Sequence, residues 1–103
     1  MTFNIYYPYD EGCTFDMDYY INHHLPHIKE KLPGVVTGIT ASAGISGFPG
    51  QPPRYKAMGC IHFSCSIEEF LKAYMPYAKE FAEDSYKYTN IKSTTCDFSE
   101  KTL

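Results

Sequence analysis

Apolar and polar positions alternate along two stretches and recur with a helical period along two others. Residues 2–8, Thr-Phe-Asn-Ile-Tyr-Tyr-Pro, put Phe3, Ile5 and Tyr7 on one face and Asn4 and Tyr6 on the other, so they predict a strand that Pro8 ends. Residues 54–64 alternate in the same way. Tyr55, Ala57, Gly59, Ile61 and Phe63 share one face, and Lys56, Met58, Cys60, His62 and Ser64 share the other. Between these two lies a run with helical spacing. Met17, Ile21, Leu25, Ile28 and Leu32 form one stripe of a helix over about 17–32, with Asp16 as its N-cap and Pro33-Gly34 as its stop. His24 falls at the edge of that stripe, Tyr20 and His27 just beside it, and His23 further round toward solvent. Pro26 removes a backbone N–H and crowds the carbonyl of Asn22, so a kink or local widening is expected there.

The remaining elements follow from residue type. Residues 35–46 are small and β-branched, with Gly38, Gly44 and Gly47 in or beside them, and predict a bent or bulged strand. Residues 47–53 are rich in glycine and proline and read as a loop, the most mobile segment expected. Ser66-Ile-Glu-Glu69 is a capping box opening a second helix, whose stripe is Ile67, Phe70, Leu71, Tyr74, Ala78, Phe81 and Ala82. Residues 86–90 connect it to a final strand over 91–99, polar enough to lie at an edge or an interface, and residues 100–103 are expected to fray.

The order is βαββαβ, the split βαβ arrangement of a ferredoxin-like α+β domain with a four-stranded antiparallel sheet. A shift of the chain by fifty residues supports it. His24-Leu-Pro-His-Ile-Lys-Glu30 then lies over Tyr74-Met-Pro-Tyr-Ala-Lys-Glu80, and the caps Asp16 and Ser66 coincide. The inward position held by Tyr74 in one half is held by His24 in the other.

Size and charge narrow the picture. The chain has 103 residues, a single domain by length, and is 44% hydrophobic, enough for a small core. A net charge of −3 gives no electrostatic reason to bind nucleic acid or an anionic membrane. No apolar run is long enough to span a bilayer, and the N-terminus has no basic stretch followed by an apolar one, so the expected location is the cytoplasm. Cys13, Cys60, Cys65 and Cys96 form no CxxC pair and are expected as free thiols. Ten tyrosines and seven phenylalanines stand against no tryptophan, and tyrosine suits a pocket wall as well as a core.

Candidate chemistry gathers around the first helix. An inward His24 is either a general acid–base group or a buried histidine held by a backbone carbonyl. His23 and His27 have the spacing of a two-histidine metal edge. The glutamate of such a motif is absent, however, and Pro26 distorts the turn, so no metal site is expected. Tyr20 lies one turn before His24, and Tyr7 is a second hydroxyl on the face that packs under the helices. Cys60 and His62 lie on a face that only a second subunit would bury. Asn90, after Tyr88-Thr89, would either orient a ligand carbonyl or anchor a loop. There is no phosphate loop, serine elbow or dinucleotide fingerprint.

Four motifs in order, Tyr6-Tyr7-Pro8, Phe15-Asp-Met-Asp-Tyr-Tyr-Ile-Asn-His-His24-Leu-Pro26, Tyr55-Lys-Ala-Met-Gly59 and Tyr88-Thr-Asn-Ile91, resemble the EthD family over nearly the whole chain. The Tyr-Tyr-x-x-x-His-x-Pro and Tyr-Thr-Asn-Ile elements are the specific parts. The resemblance implies a ferredoxin-like subunit, a homodimer whose two sheets close into an α+β barrel, and a cavity between sheet and helices. It implies no cofactor. Related barrels include polyketide cyclases, aromatic dehydratases or decarboxylases, and monooxygenases of quinol-like substrates. The family histidine maps onto His24. The resulting expectation is an acid–base protein for a small aromatic or polyketide-like ligand, with His24, Tyr20 and Tyr7 catalytic and Tyr88, Asn90 and His27 meeting the ligand. The alternative is a non-catalytic binding or structural dimer module.

Overall fold

The computed structural model describes residues 1–103. Four strands, β1 (Thr2–Pro8), β2 (Val36–Ala43), β3 (Tyr55–Phe63) and β4 (Thr95–Ser99), form one antiparallel sheet in the order β2-β3-β1-β4. The two central strands are the two with strict alternation. They pair from Thr2 opposite His62 to Tyr7 opposite Ala57. Phe3, Ile5, Tyr7, Ala57, Ile61 and Phe63 are all buried on the face that the helices cover. Tyr55 departs from the expected pattern. The register slips between Tyr7 and Pro8, and the Tyr55 ring pairs with that of Tyr6 on the bare face, centroids 4.8 Å apart. The bulge expected near Gly38 is present in β2, between Val36 and Gly38. No helix is long and apolar enough to cross a membrane.

The first helix begins at Met17, where the Asp16 carboxylate accepts from the Tyr19 N–H at 3.1 Å. It does not run as one α-helix to residue 32. After Met17–Tyr19 comes a π turn, Tyr20–His24, closed by the Leu25 N–H on the Tyr20 carbonyl, and then an α segment, Leu25–Lys31. The widening that Pro26 demands is absorbed in the turn before it. One extra residue in that turn rotates the preceding face. Ile21, expected in the buried stripe, is 43% exposed, while Tyr20, expected beside it, is fully buried. Gly34, at positive φ, turns the chain toward β2.

The second helix meets its own proline in the opposite way. After Ile67–Tyr74 the chain tightens into a 3₁₀ turn, Met75–Tyr77, then resumes as Ala78–Asp84. Ser66 accepts from the Glu69 N–H at 3.1 Å and donates to its carboxylate at 3.0 Å, so the cap forms. Ile67 and Ala82 face solvent rather than the core. The fifty-residue repeat is visible in the packing. Tyr20 stacks on His24 with centroids 5.4 Å apart, and at the matching positions Phe70 stacks on Tyr74 at 5.5 Å.

The last strand is shorter than expected. Residues 91–94 are irregular, and pairing starts at Thr95 opposite Tyr6. The Thr89 hydroxyl accepts from the Ile91 N–H, which holds the chain in a turn where the strand would otherwise start. All four cysteines are free thiols.

Candidate active site

His24 is placed by the π turn and Tyr88 by a lacing of two loops. The Asp16 N–H bonds the Tyr88 carbonyl at 2.7 Å, the Thr89 hydroxyl donates to the Thr14 carbonyl at 2.7 Å, and Phe15 bridges to Thr89. Asn90 completes the lacing. Its carbonyl accepts from the Thr14 N–H at 2.8 Å and its amide donates to the Gly12 carbonyl at 3.2 Å. Both ends of that side chain hold the loop. The Tyr-Thr-Asn element therefore works as a clasp that fixes the Tyr88 ring against His24, centroids 4.7 Å apart.

A chain of polar groups runs through the core from this point. His24 Nδ1 lies 2.9 Å from Asp84 Oδ2. His24 Nε2 lies 3.3 Å from the Tyr88 hydroxyl, which lies 2.8 Å from the Tyr7 hydroxyl. Asp84 is the last residue of the second helix. Its other oxygen accepts from the Tyr19 hydroxyl at 2.9 Å, and the Lys87 ammonium is 3.5 Å away.

The electrostatics give this chain a direction. Burial pushes the imidazole of His24 below its ordinary range, and the Asp84 carboxylate opposes that without overcoming it. Partial burial works against ionisation of Asp84, but hydrogen bonds from His24 and Tyr19 outweigh it and hold the carboxyl below the usual range. At neutral pH the pair is therefore a carboxylate and a neutral ring. A carboxylate only accepts, so Nδ1 carries the proton and Nε2 carries the lone pair. Tyr88 then donates to Nε2, and Tyr7 donates to Tyr88. Burial raises both of these phenols well above their ordinary value, so they stay protonated. The 3.3 Å step from Tyr88 to His24 is the longest of the chain, and the one a ligand atom would most easily replace.

A cavity of about 370 Å³ opens onto this chain. Tyr7, His24 and Tyr88 line it together with apolar side chains that include Ile5, Tyr74 and Phe81. Tyr20 does not line it. Its ring backs His24, and its buried hydroxyl points at β3 with no hydrogen-bond partner. Gly59 explains how the hydroxyl fits, because a Cβ there would fall on it. His27 lies elsewhere, 2.7 Å from Glu80 in a groove between the outer faces of the two helices. His23 lies against Tyr19 at the same groove, ring centroids 5.1 Å apart and tilted by 36°. Asp84 and Tyr19 were missed by sequence reasoning. One signal was present: an acid at a helix C-terminus opposes the helix dipole, so it needs a partner.

A four-stranded antiparallel sheet with both helices on one face, joined by a histidine–carboxylate pair, defines a ferredoxin-like α+β protein. No family model matches the chain, and no curated protein matches it. Solved structures do. An EthD-like protein from Ralstonia eutropha JMP134 is 33% identical, with 96% of this chain and 88% of that one covered and a TM-score of 0.86. An ethyl tert-butyl ether (EthD) family protein from Bacillus halodurans C-125 is 21% identical over 98% and 97% of the two chains, with a TM-score of 0.66, and shares the fold. This chain belongs to the EthD family.

Proposed function

We propose that the protein performs acid–base chemistry on a small aromatic or polyketide-like ligand held in the cavity above His24. The observation that carries this reading is the ordered chain Asp84–His24–Tyr88–Tyr7, with the histidine lone pair turned toward the cavity. Nε2 of His24 takes a proton from an acidic C–H or O–H of the ligand. Asp84 stabilises the imidazolium that forms. The Tyr88 hydroxyl, freed from the ring nitrogen, donates to the enolate or phenolate oxygen that develops, while the Tyr7 hydroxyl donates to Tyr88 and strengthens it as a donor. Tyr20 holds the imidazole plane by stacking. Asn90 acts through the loop that positions Tyr88, and His27 has no part at the cavity. No cofactor enters these steps.

Dimerisation through the bare face of the sheet, with closure into a barrel, belongs to the same proposal. The half-buried Tyr6, Met58, Cys60 and His62 on that face support it. A non-catalytic binding module would use the same cavity, so the test must read proton transfer. A ketone with an acidic α-proton, 2-tetralone, exchanges that proton for deuterium in heavy water, and proton NMR follows the loss. The wild type should accelerate exchange, and His24→Ala should remove about 10²- to 10⁴-fold of the acceleration. Equal rates for the two proteins would exclude His24 as the base.

A further inference from the structure

Two concavities flank the His24–Asp84 pair, and their charges differ in sign. The outer groove is lined by four carboxylates, Glu30, Glu80, Glu83 and Asp84, against one lysine, Lys87. The cavity on the other side of His24 has no carboxylate in its lining and one lysine, Lys92. Lys92 also borders a neighbouring surface groove that Asp10 and Glu11 line, but it forms no ion pair with either; the three contacts between charged side chains all lie at the helices. It sits in the irregular segment 91–94, where the backbone N–H groups of Lys92 and Thr94 make no hydrogen bond within the chain. One rim of the cavity is therefore formed by a lysine outside any ion pair and by a segment with unpaired backbone N–H groups. The inner wall is different. Ile5, Phe81 and the rings of Tyr74 and Tyr88 make it apolar and aromatic. Burial keeps the Tyr74 hydroxyl and the Cys96 thiol protonated, so they add no negative charge.

These features select a ligand with two ends. An aromatic body is favoured by the wall, where ring contacts add to area burial. A negative head is favoured at the rim, where it meets Lys92 while remaining partly hydrated. A cation would find no counter-charge in the lining. The volume of about 370 Å³ is near the lower bound of small-molecule pockets and suits one or two rings. We propose, building on the acid–base reading above, that the ligand is an aromatic carboxylate of one or two rings. It binds ring-first, with its carboxylate at Lys92 and the far edge of its ring at Nε2 of His24.

Three probes of one shape test this: 2-naphthoate, 2-naphthamide and 2-naphthylmethylammonium, titrated calorimetrically into wild type and Lys92→Glu. The carboxylate should bind about two- to fivefold tighter than the amide, the return expected of one good, partly exposed ion pair. The ammonium should bind weakest. Lys92→Glu should abolish the advantage of the carboxylate and leave the amide unchanged, and added salt should narrow the gap in the wild type. An amide that binds as well as the carboxylate, a Lys92→Glu variant that keeps the preference, or no binding of any probe overturns the inference. The 2-tetralone assay separates this failure from the other. Exchange that depends on His24, without a carboxylate preference, sinks the ligand assignment alone. A preference without exchange sinks the acid–base reading and leaves an anion-binding cavity.

Discussion

The smallest unit of the site is a pair of residues that do not touch the cavity, Tyr20 and Gly59. Tyr20 is fully buried, stacks on His24, and drives its hydroxyl against β3 at the one position without a side chain. Its counterpart in the second half, Phe70, packs in the same way with no hydroxyl. Glycine in the middle of a strand weakens it, so Gly59 is explained by the close approach rather than by the strand. Gly59→Ala is expected to overpack this point at a cost of about 1–3 kcal/mol, read as a lower urea midpoint. Adding Tyr20→Phe should recover part of the loss, since the phenol oxygen is the first atom struck. An alanine variant as stable as the wild type would mean that Tyr20 moves freely, and the support argued for His24 would fail. The sequence showed Tyr20 near His24 but placed its hydroxyl as a donor. Helical phase could not show that a π turn buries it.

At the scale of elements, the alternation in β1 and β3 and the caps at Asp16 and Ser66 were legible because they depend on short-range geometry. The repeat was legible too, since both halves bury the same face. What escaped was how each helix accommodates its proline. Pro26 is met by a wide turn and Pro76 by a tight one, although the two lie at matching positions. The difference lies in what is packed beneath, and a single helix's pattern does not carry that. The same limit hid Asp84. It reaches His24 from 60 residues away, across a helix–helix contact that local spacing does not encode. The final strand began late for a similar reason. Thr89 and Asn90 serve the loop over 12–16, and they spend four residues on an irregular path that lines the cavity.

For the whole molecule, helices cover one face of the sheet and nothing covers the other. On that bare face the polar groups are mostly tied to one another. Asn4 donates to Asp97 and Ser99, and His62 contacts Thr2 and Thr40 across three strands. Such a face is ready to be buried without orphaned donors, which suits the dimer proposed above. Met58 is half-buried on a central strand of that face, where a charge would have to be desolvated when a second copy covers it. Light scattering on a sizing column should give a dimer mass for the wild type and a monomer mass for Met58→Asp. A wild type that elutes as a monomer at all concentrations would remove the barrel from the picture, leaving the cavity intact.

The proposed chemistry rests on one nitrogen, and nitrogen NMR of the His24 ring reads it directly. At neutral pH the ring should be uncharged, with the proton on Nδ1 toward Asp84 and Nε2 bare. On acidification it should take up its second proton only below the ordinary histidine value of 6.5, because burial disfavours the charged form. The sign carries over to stability. A histidine with a lowered folded pKa contributes fully above 6.5, and its contribution is lost as pH falls through the folded value. A ring that is charged at neutral pH, or that carries its proton on Nε2, would contradict the assignment of His24 as the base facing the cavity.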